Sequence, residues 1–164
     1  CQNMAIKAPR NIATLTLIGA LTEPPQAARG VLLARASVAR NEGMEGIANQ
    51  IVTTALAPRT LAEKSAVVAF VRESIMRQCP EGYAKCCEAL SAAAAQDVRR
   101  INVPTLLLTG DCDSVASVSM AQQLCDAIPD AHLKVLADCG HWATVEQPNI
   151  CANEIEAFLH SHPI

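Results

Sequence analysis

The sequence predicts an α/β protein in which three parallel strands with flanking helices are interrupted by an all-helical insertion. Three observations carry this reading. Three short apolar runs are each bounded by Pro, Gly or Asp; helical patterns follow the second and third of them; and residues 22–101 show helix periodicity with no convincing strand. Strands and helices alternating in this order make a parallel sheet with right-handed crossovers.

The chain opens with "MAIKAPRN", a short helical pattern halted at Pro9, which has no backbone N–H to continue a helix. Next comes "ATLTLIG" (13–19), a β-branched apolar run closed by Gly, and the two form a first core segment, 1–21. The insertion, 22–101, begins at Pro24-Pro25 and holds four helical patterns. The clearest are Met44, Ile47, Ala48, Ile51, Val52 and Ala55 on one stripe and Tyr83, Cys86, Leu90 and Ala94 on another, with Pro58 and Pro80 as punctuation. So long a connection inside a compact sheet is expected to carry function.

The second core segment, 102–164, supplies the other two runs, "VPTLLLTG" (103–110) and "AHLKVLA" (131–137). In "SVSMAQQLCDAIP" between them, Met120, Leu124 and Ile128 recur every four residues, Ser119 and Gln122 have capping-box spacing, and Pro129 closes the helix. A last helix, opened by Thr144 and Gln147 at the same spacing, carries Cys151, Ile155, Phe158 and Leu159 on one stripe.

At 164 residues the chain suits one domain, or a core with a modest insertion. With 51% hydrophobic and 18% charged residues it is globular, and no apolar run approaches bilayer length, so a soluble, cytoplasmic protein with no membrane partner is expected. A net charge of −3 and the lack of a basic stripe with interleaved aromatics argue against nucleic acid. Eight cysteines without a signal peptide or a regular framework of spacings read as free buried thiols in a reducing compartment. Cys112, Cys139, Asp111, Asp138 and His141 could be drawn as metal ligands, but no CxxC or HExxH supports them, so neither metal nor cofactor is expected.

Charge divides the segments. The insertion holds ten Lys or Arg against eight Asp or Glu, whereas 102–164 holds one Lys against eight acids. An anionic small molecule is therefore favoured near the insertion, where Arg35, Arg40, Arg59 and Arg72 are candidate anchors, each also readable as a solvated surface charge.

The chemistry lies in "TGDCD" (109–113) and "LADCGHWATVEQP" (136–148), just past the second and third strands. A parallel sheet brings its C-terminal strand ends to one edge, so Asp113 and His141 meet there although 28 residues separate them. A buried carboxylate can hold an imidazole in one tautomer and leave its other nitrogen as general base. Singly, an Asp after a strand is commonly a helix cap and a His before a helix a loop residue. Together, at consecutive strand ends, they point to catalysis. Asp111 competes for the acid role, Asp138 is a weaker third candidate, and Trp142 either shapes a pocket or packs.

"INVPTLLLTGDCDSV", "IPDAHLKVLADCGHWATVEQP" and the final helix resemble the C-terminal half of an α/β-hydrolase, and "APRNIATLTLIGA" resembles that family's end of the nucleophile helix with the next strand. "GMEGIA" (43–48) and "CPEGYAKCCEAL" (79–90) resemble the caps of 3-oxoadipate enol-lactonase-like members. The resemblance implies Asp113 as acid, His141 as base, residues 22–101 as cap, and hydrolysis of an anionic ester or lactone by Ser-His-Asp chemistry. One departure matters. The family nucleophile sits in G-x-S-x-G, and none of the seven glycines here is followed two residues later by Ser.

No nucleophile is thus expected within the chain, and Cys1, with no strained turn to present it, is a poor substitute. Loss of a nucleophile costs on the order of a million-fold, so these residues alone are expected to be inert. A truncated chain is implied, partnered by a missing N-terminal half or a second copy. Two alternatives stay open: a non-catalytic fragment or subunit that binds a small carboxylate or a partner half, and the same fold acting on another ester, amide or halide.

Overall fold

The computed structural model describes residues 1–162. Its sheet consists of β1 (Leu15–Ile18), β2 (Thr105–Gly110) and β3 (Ala131–Leu136), all parallel, in the order β1-β2-β3. Leu15 sits opposite Thr105, and Thr105 opposite Ala131. Every residue of β2 is buried, and its alternation divides the core into two layers. Leu107 joins Leu15, Leu17, Leu124 and Ile128 on one face; Leu106 and Leu108 join Leu136, Cys151 and Phe158 on the other. β3 is an edge strand whose His132, Lys134 and Val135 are exposed, and Lys134 pairs with Glu154 at 2.6 Å.

Helix α1 (Gln2–Lys7) and a 3-10 turn (Pro9–Asn11) precede β1, divided at Ala8 as the proline requires. Between β1 and β2 come α2 (Gln26–Glu42), α3 (Glu45–Ala55), α4 (Pro58–Glu63), α5 (Ser65–Met76), α6 (Pro80–Ser91) and a 3-10 turn (Val98–Arg100). There are five α-helices where four were expected, because Pro58 starts a short helix that ends at Lys64 in a non-helical conformation.

These helices form an all-helical cap with its own apolar cluster, including Ala36, Ala39, Met44, Ile47, Ala48, Val52, Val71, Ile75, Ala84 and Cys87. The stripe of α3 is buried much as the sequence implies. That of α6 is not: its buried residues are Ala84, Cys87 and Ser91, one position along from the expected stripe. Cys86 and Leu90 face solvent, Tyr83 is half-buried and Ala94 lies beyond the helix. α2 brings Ala36 and Ala39 to this contact, so the small residues of α6 turn toward it and the backbones approach closely. Arg29 then reaches Ser91 O across the seam at 2.5 Å.

α7 (Val118–Ala127) is capped by Ser117, whose hydroxyl accepts from Met120 N at 3.4 Å. The expected Ser119–Gln122 box does not form; Ser119 bonds Ser117, and Gln122 donates to Asp126. The last helix is also displaced from its expected start. Thr144 lies inside the short α8 (Ala143–Glu146), the chain breaks at Gln147, and Pro148 begins α9 (Pro148–Ser161). On α9, Cys151 and Phe158 are buried and Ile155 packs beside them, but Leu159 is exposed.

The cysteines are unpaired, and only some are buried as expected. Cys87, Cys139 and Cys151 lie in the interior, Cys125 is half-buried, and Cys1, Cys79, Cys86 and Cys112 are exposed. Among the described residues, no helix is long and apolar enough to cross a membrane.

Candidate active site

The ends of β2 and β3 are bound together past their ladder. Asp111 N donates to Leu136 O and Cys112 N to Cys139 O, each at 2.9 Å. Gly110 is needed here, since a Cβ would collide with the carbonyls of Cys139 and Gly140. Asp111 joins the same junction, accepting from Cys139 N at 3.2 Å. Although burial pushes its carboxyl up, bonds from Cys112 and the Cys139 amide hold it below the usual range.

This junction sets Asp113 beside His141, with Oδ2 2.9 Å from Nδ1. The Asp113 side chain is fully buried, whereas the imidazole is 31% exposed. Oδ1 accepts from Val115 N and Ala116 N, both at 2.8 Å, which fixes the carboxyl independently of the histidine. Burial alone would raise its pKa; the His141 bond and the two amides outweigh that and hold it below the ordinary value. An ionised Asp113 is an acceptor only, so Nδ1 carries the proton of this bond, and Nε2 is the nitrogen left to act on a substrate.

β1 supplies the third wall. Gly19 N extends the ladder to Leu108 O at 2.9 Å, and the residue turns with φ +55°. A Cβ at Gly19 would lie 3.0 Å from His141 Nδ1 and 3.3 Å from Asp113 Oδ2. The glycine therefore serves the site as well as the strand end, which its place as the terminator of an apolar run does not by itself reveal.

The cap meets this edge at the joint between α3 and α4. His141 N donates to Ala55 O at 2.8 Å, and Ser114 Oγ to Thr54 O at 2.7 Å. Glu146, which the sequence reading passes over, is only 2% exposed. Its Oε2 accepts from Ala57 N (2.9 Å) and Thr60 Oγ1 (2.7 Å), and its Oε1 from Gly140 N (3.0 Å). Lys64 Nζ bonds the Glu146 carbonyl at 2.6 Å. The available signal was a lone acid five residues after His141, near the end of the stretch "HWATVEQP".

The other candidates lie elsewhere. Asp138, with φ +51°, faces outward and pairs with Arg59 at 3.1 Å. Arg59 also binds Glu63, Arg40 forks onto Glu81 and Glu88, and Arg72 meets Asn49 and Glu45. The Glu88 and Glu81 bonds raise the Arg40 pKa further, and Glu63 does the same for Arg59. Arg35 differs: its Nε is buried without a hydrogen-bond partner. Burial pushes the nearby Tyr83 phenol up, while the Arg35 guanidinium opposes that shift. Trp142 packs against the cap cluster together with Val145. Among the described residues, no three His, Cys, Asp or Glu side chains are grouped to hold a metal ion.

The model of the family described as serine aminopeptidase, S33, matches residues 2–148. The chain belongs to this family. It carries the α/β-hydrolase fold with a helical cap. The 3-oxoadipate enol-lactonase 2 of Acinetobacter baylyi is 33% identical over 127 residues, covering 77% of this chain and 47% of that protein. A 2-hydroxy-6-oxononadienedioate/2-hydroxy-6-oxononatrienedioate hydrolase of a Pseudomonas species is 28% identical over 153 residues, 87% of this chain and 53% of that one. Among solved structures, the enol-lactonase from Burkholderia xenovorans LB400 superposes with a TM-score of 0.90 at 26% identity, covering 97% of this chain and 60% of that one. The chain spans about half the length of these curated relatives.

Proposed function

We propose that the chain contributes the acid and the base of a Ser-His-Asp hydrolase acting on carboxylic esters or lactones, of the enol-lactonase type. The observation that carries the proposal is the 2.9 Å bond between His141 Nδ1 and a fully buried Asp113. In this reading 1–21 and 102–164 are core, 22–101 is cap, and the serine comes from sequence outside these residues, which contain no G-x-S-x-G.

The serine hydroxyl attacks the carbonyl carbon while His141 Nε2 takes its proton, and Asp113 stabilises the imidazolium across Nδ1. The tetrahedral intermediate collapses by breaking the acyl C–O bond, and the leaving oxygen receives the proton from Nε2. Water then repeats the sequence on the acyl-enzyme, with His141 again taking and returning one proton. The two curated relatives are named for carboxylate-bearing compounds, which supports an anionic substrate. Of the four candidate anchors, Arg35 is the one we retain, because Arg40, Arg59 and Arg72 are already neutralised by carboxylates.

The test compares hydrolysis of a p-nitrophenyl ester and an enol-lactone by the 164-residue chain with that by the product of the reading frame extended upstream of the Cys1 codon, each with and without His141→Ala. Background rates are expected for the short chain. The extended product should hydrolyse and lose roughly 10⁴-fold or more on His141→Ala. A His141-dependent rate in the short chain would refute an external nucleophile, and an extended enzyme indifferent to the substitution would refute the base.

A further inference from the structure

We propose that Glu146 is a positioning residue for His141, acting through the peptide that precedes it. The inference rests on the acid-base reading above and adds to it a link between cap and imidazole. A glutamate 2% exposed in an apolar surrounding is costly to retain unless both oxygens are satisfied. Here three donors meet it, and they come from two different bodies: Gly140 N from the loop that carries His141, and Ala57 N with Thr60 Oγ1 from the start of α4 in the cap. Among the described residues no ion pair reaches its side-chain oxygens, and the Lys64 ammonium bonds the Glu146 backbone carbonyl at 2.6 Å.

The consequence for His141 is geometric. Its ring is held at Nδ1 by Asp113 and its backbone by the bond from His141 N to Ala55 O. The peptide between these anchors and the end of β3 is set by Gly140, whose N–H is fixed on Glu146 Oε1 and whose Cα lies against Ala55, Ala57 and Glu146 itself. Releasing Oε1 leaves the Cys139–Gly140 peptide held by the Cys112 N to Cys139 O bond alone, so the loop loosens and the imidazole shifts with it relative to Asp113. The same carboxyl holds the α3–α4 joint through Oε2, so that joint stays with the His141 loop when any other part of the cap moves.

The experiment uses the 164-residue chain with Glu146→Gln, Glu146→Ala and Thr60→Val. Backbone amide exchange at Gly140 is read against the core amide of Leu107, and the His141 ring tautomer by nitrogen NMR between pH 5 and 8. Glutamine keeps the shape but must turn an NH₂ toward an N–H donor. Gly140 exchange is then expected to accelerate at least ~10-fold relative to Leu107, the scale of one buried hydrogen bond. The single Nδ1–H form of His141 should give way to a mixture. Thr60→Val removes one donor on the cap side and should accelerate Gly140 exchange by a smaller factor while leaving the ring unchanged. A Glu146→Gln protein with lower stability but wild-type tautomer would mark a purely structural residue and overturn the proposal. If neither Glu146 variant folds, Thr60→Val decides, and unchanged Gly140 exchange then overturns it. No readout requires hydrolysis, so failure of the Ser-His-Asp reading in the ester assay stays separate from failure here.

Discussion

Adding one methyl group at Gly140 should cost more than adding one anywhere on the cap's outer helices. A Cβ at Gly140 would overlap Ala55 O and come to 2.7 Å from Ala57 N and 2.8 Å from Glu146 Oε1. Ordinary contacts between such atoms lie near ~3.4 Å, so clearing Ala55 O requires the loop to retreat by about 1 Å. That retreat stretches both bonds that tie the loop to the cap, Gly140 N to Glu146 (3.0 Å) and His141 N to Ala55 O (2.8 Å). Overpacking costs about 1–3 kcal/mol and a buried group left unpaired about 1–3 more, so Gly140→Ala is expected to lose roughly 2–6 kcal/mol. Gly30, exposed in α2 with nothing within 4 Å of its would-be Cβ, is the matched control. There, Gly→Ala should gain about 0.5–1 kcal/mol from helix propensity and a more restricted unfolded chain. Urea unfolding followed by far-UV circular dichroism reads both. If Gly140→Ala unfolds at or above the wild-type midpoint, the close packing of cap joint and His141 loop is refuted.

Two further outcomes follow from charge and burial. Because Asp113 has a lowered pKa in the folded protein, its contribution is fully present above its unfolded pKa, about 3.9, and is lost as pH falls through the lower folded value; Asp113→Asn should therefore flatten the loss of urea stability below about pH 4, and parallel wild-type and variant profiles would show that this carboxyl is not the acid-sensitive group. Thiol titration of the native chain should label Cys1, Cys79, Cys86 and Cys112 quickly and spare Cys87, Cys139 and Cys151 until denaturant is added, with Cys139 slowest because burial pushes its thiol up to about 12; rapid native labelling of Cys139 would contradict its enclosure.

The sheet was legible because each strand is an apolar run with a hard stop, and hard stops survive tertiary context. β1, β2 and β3 all fall inside the expected runs. The meeting of Asp113 and His141 followed from topology alone, since parallel strands share one C-terminal edge. What failed was rotation and capping. On α6 the reading favoured Leu90, the larger hydrophobe, but close approach to the alanines of α2 turns Ala84, Cys87 and Ser91 inward instead. Ser117 caps α7 while Ser119 lies one residue inside it, so the capping-box spacing of Ser119 and Gln122 pointed to the wrong serine. Glu146 and Gly19 were missed for a different reason. Glu146 is tied to the cap 86 to 89 residues away and Gly19 meets residues more than 90 away, contacts that no local periodicity records.

The excess of cations in the cap looked like an anion-attracting surface, and their pairing changes what that excess means. Arg29 meets Glu23, Arg40 meets Glu81 and Glu88, Arg72 meets Glu45, Arg77 meets Glu73 and Arg99 meets Asp97, so most of the positive charge is answered within the cap itself. Exposed pairs of this kind contribute little stability, and within a Debye length of about 8–10 Å they cancel one another's field. A count over a segment therefore overstates the attraction a ligand would feel. What distinguishes a binding cation is a guanidinium with unmet hydrogen-bonding capacity beside apolar walls. In the cap that description fits Arg35, whose Nε is buried without a partner and whose neighbours Tyr83 and Cys87 belong to or pack against the same apolar cluster as Trp142. Trp142 directly follows His141 in the chain. The buried Nε of Arg35 thus adjoins the cluster that reaches the imidazole's own loop, whereas the more conspicuous arginines stand on the surface.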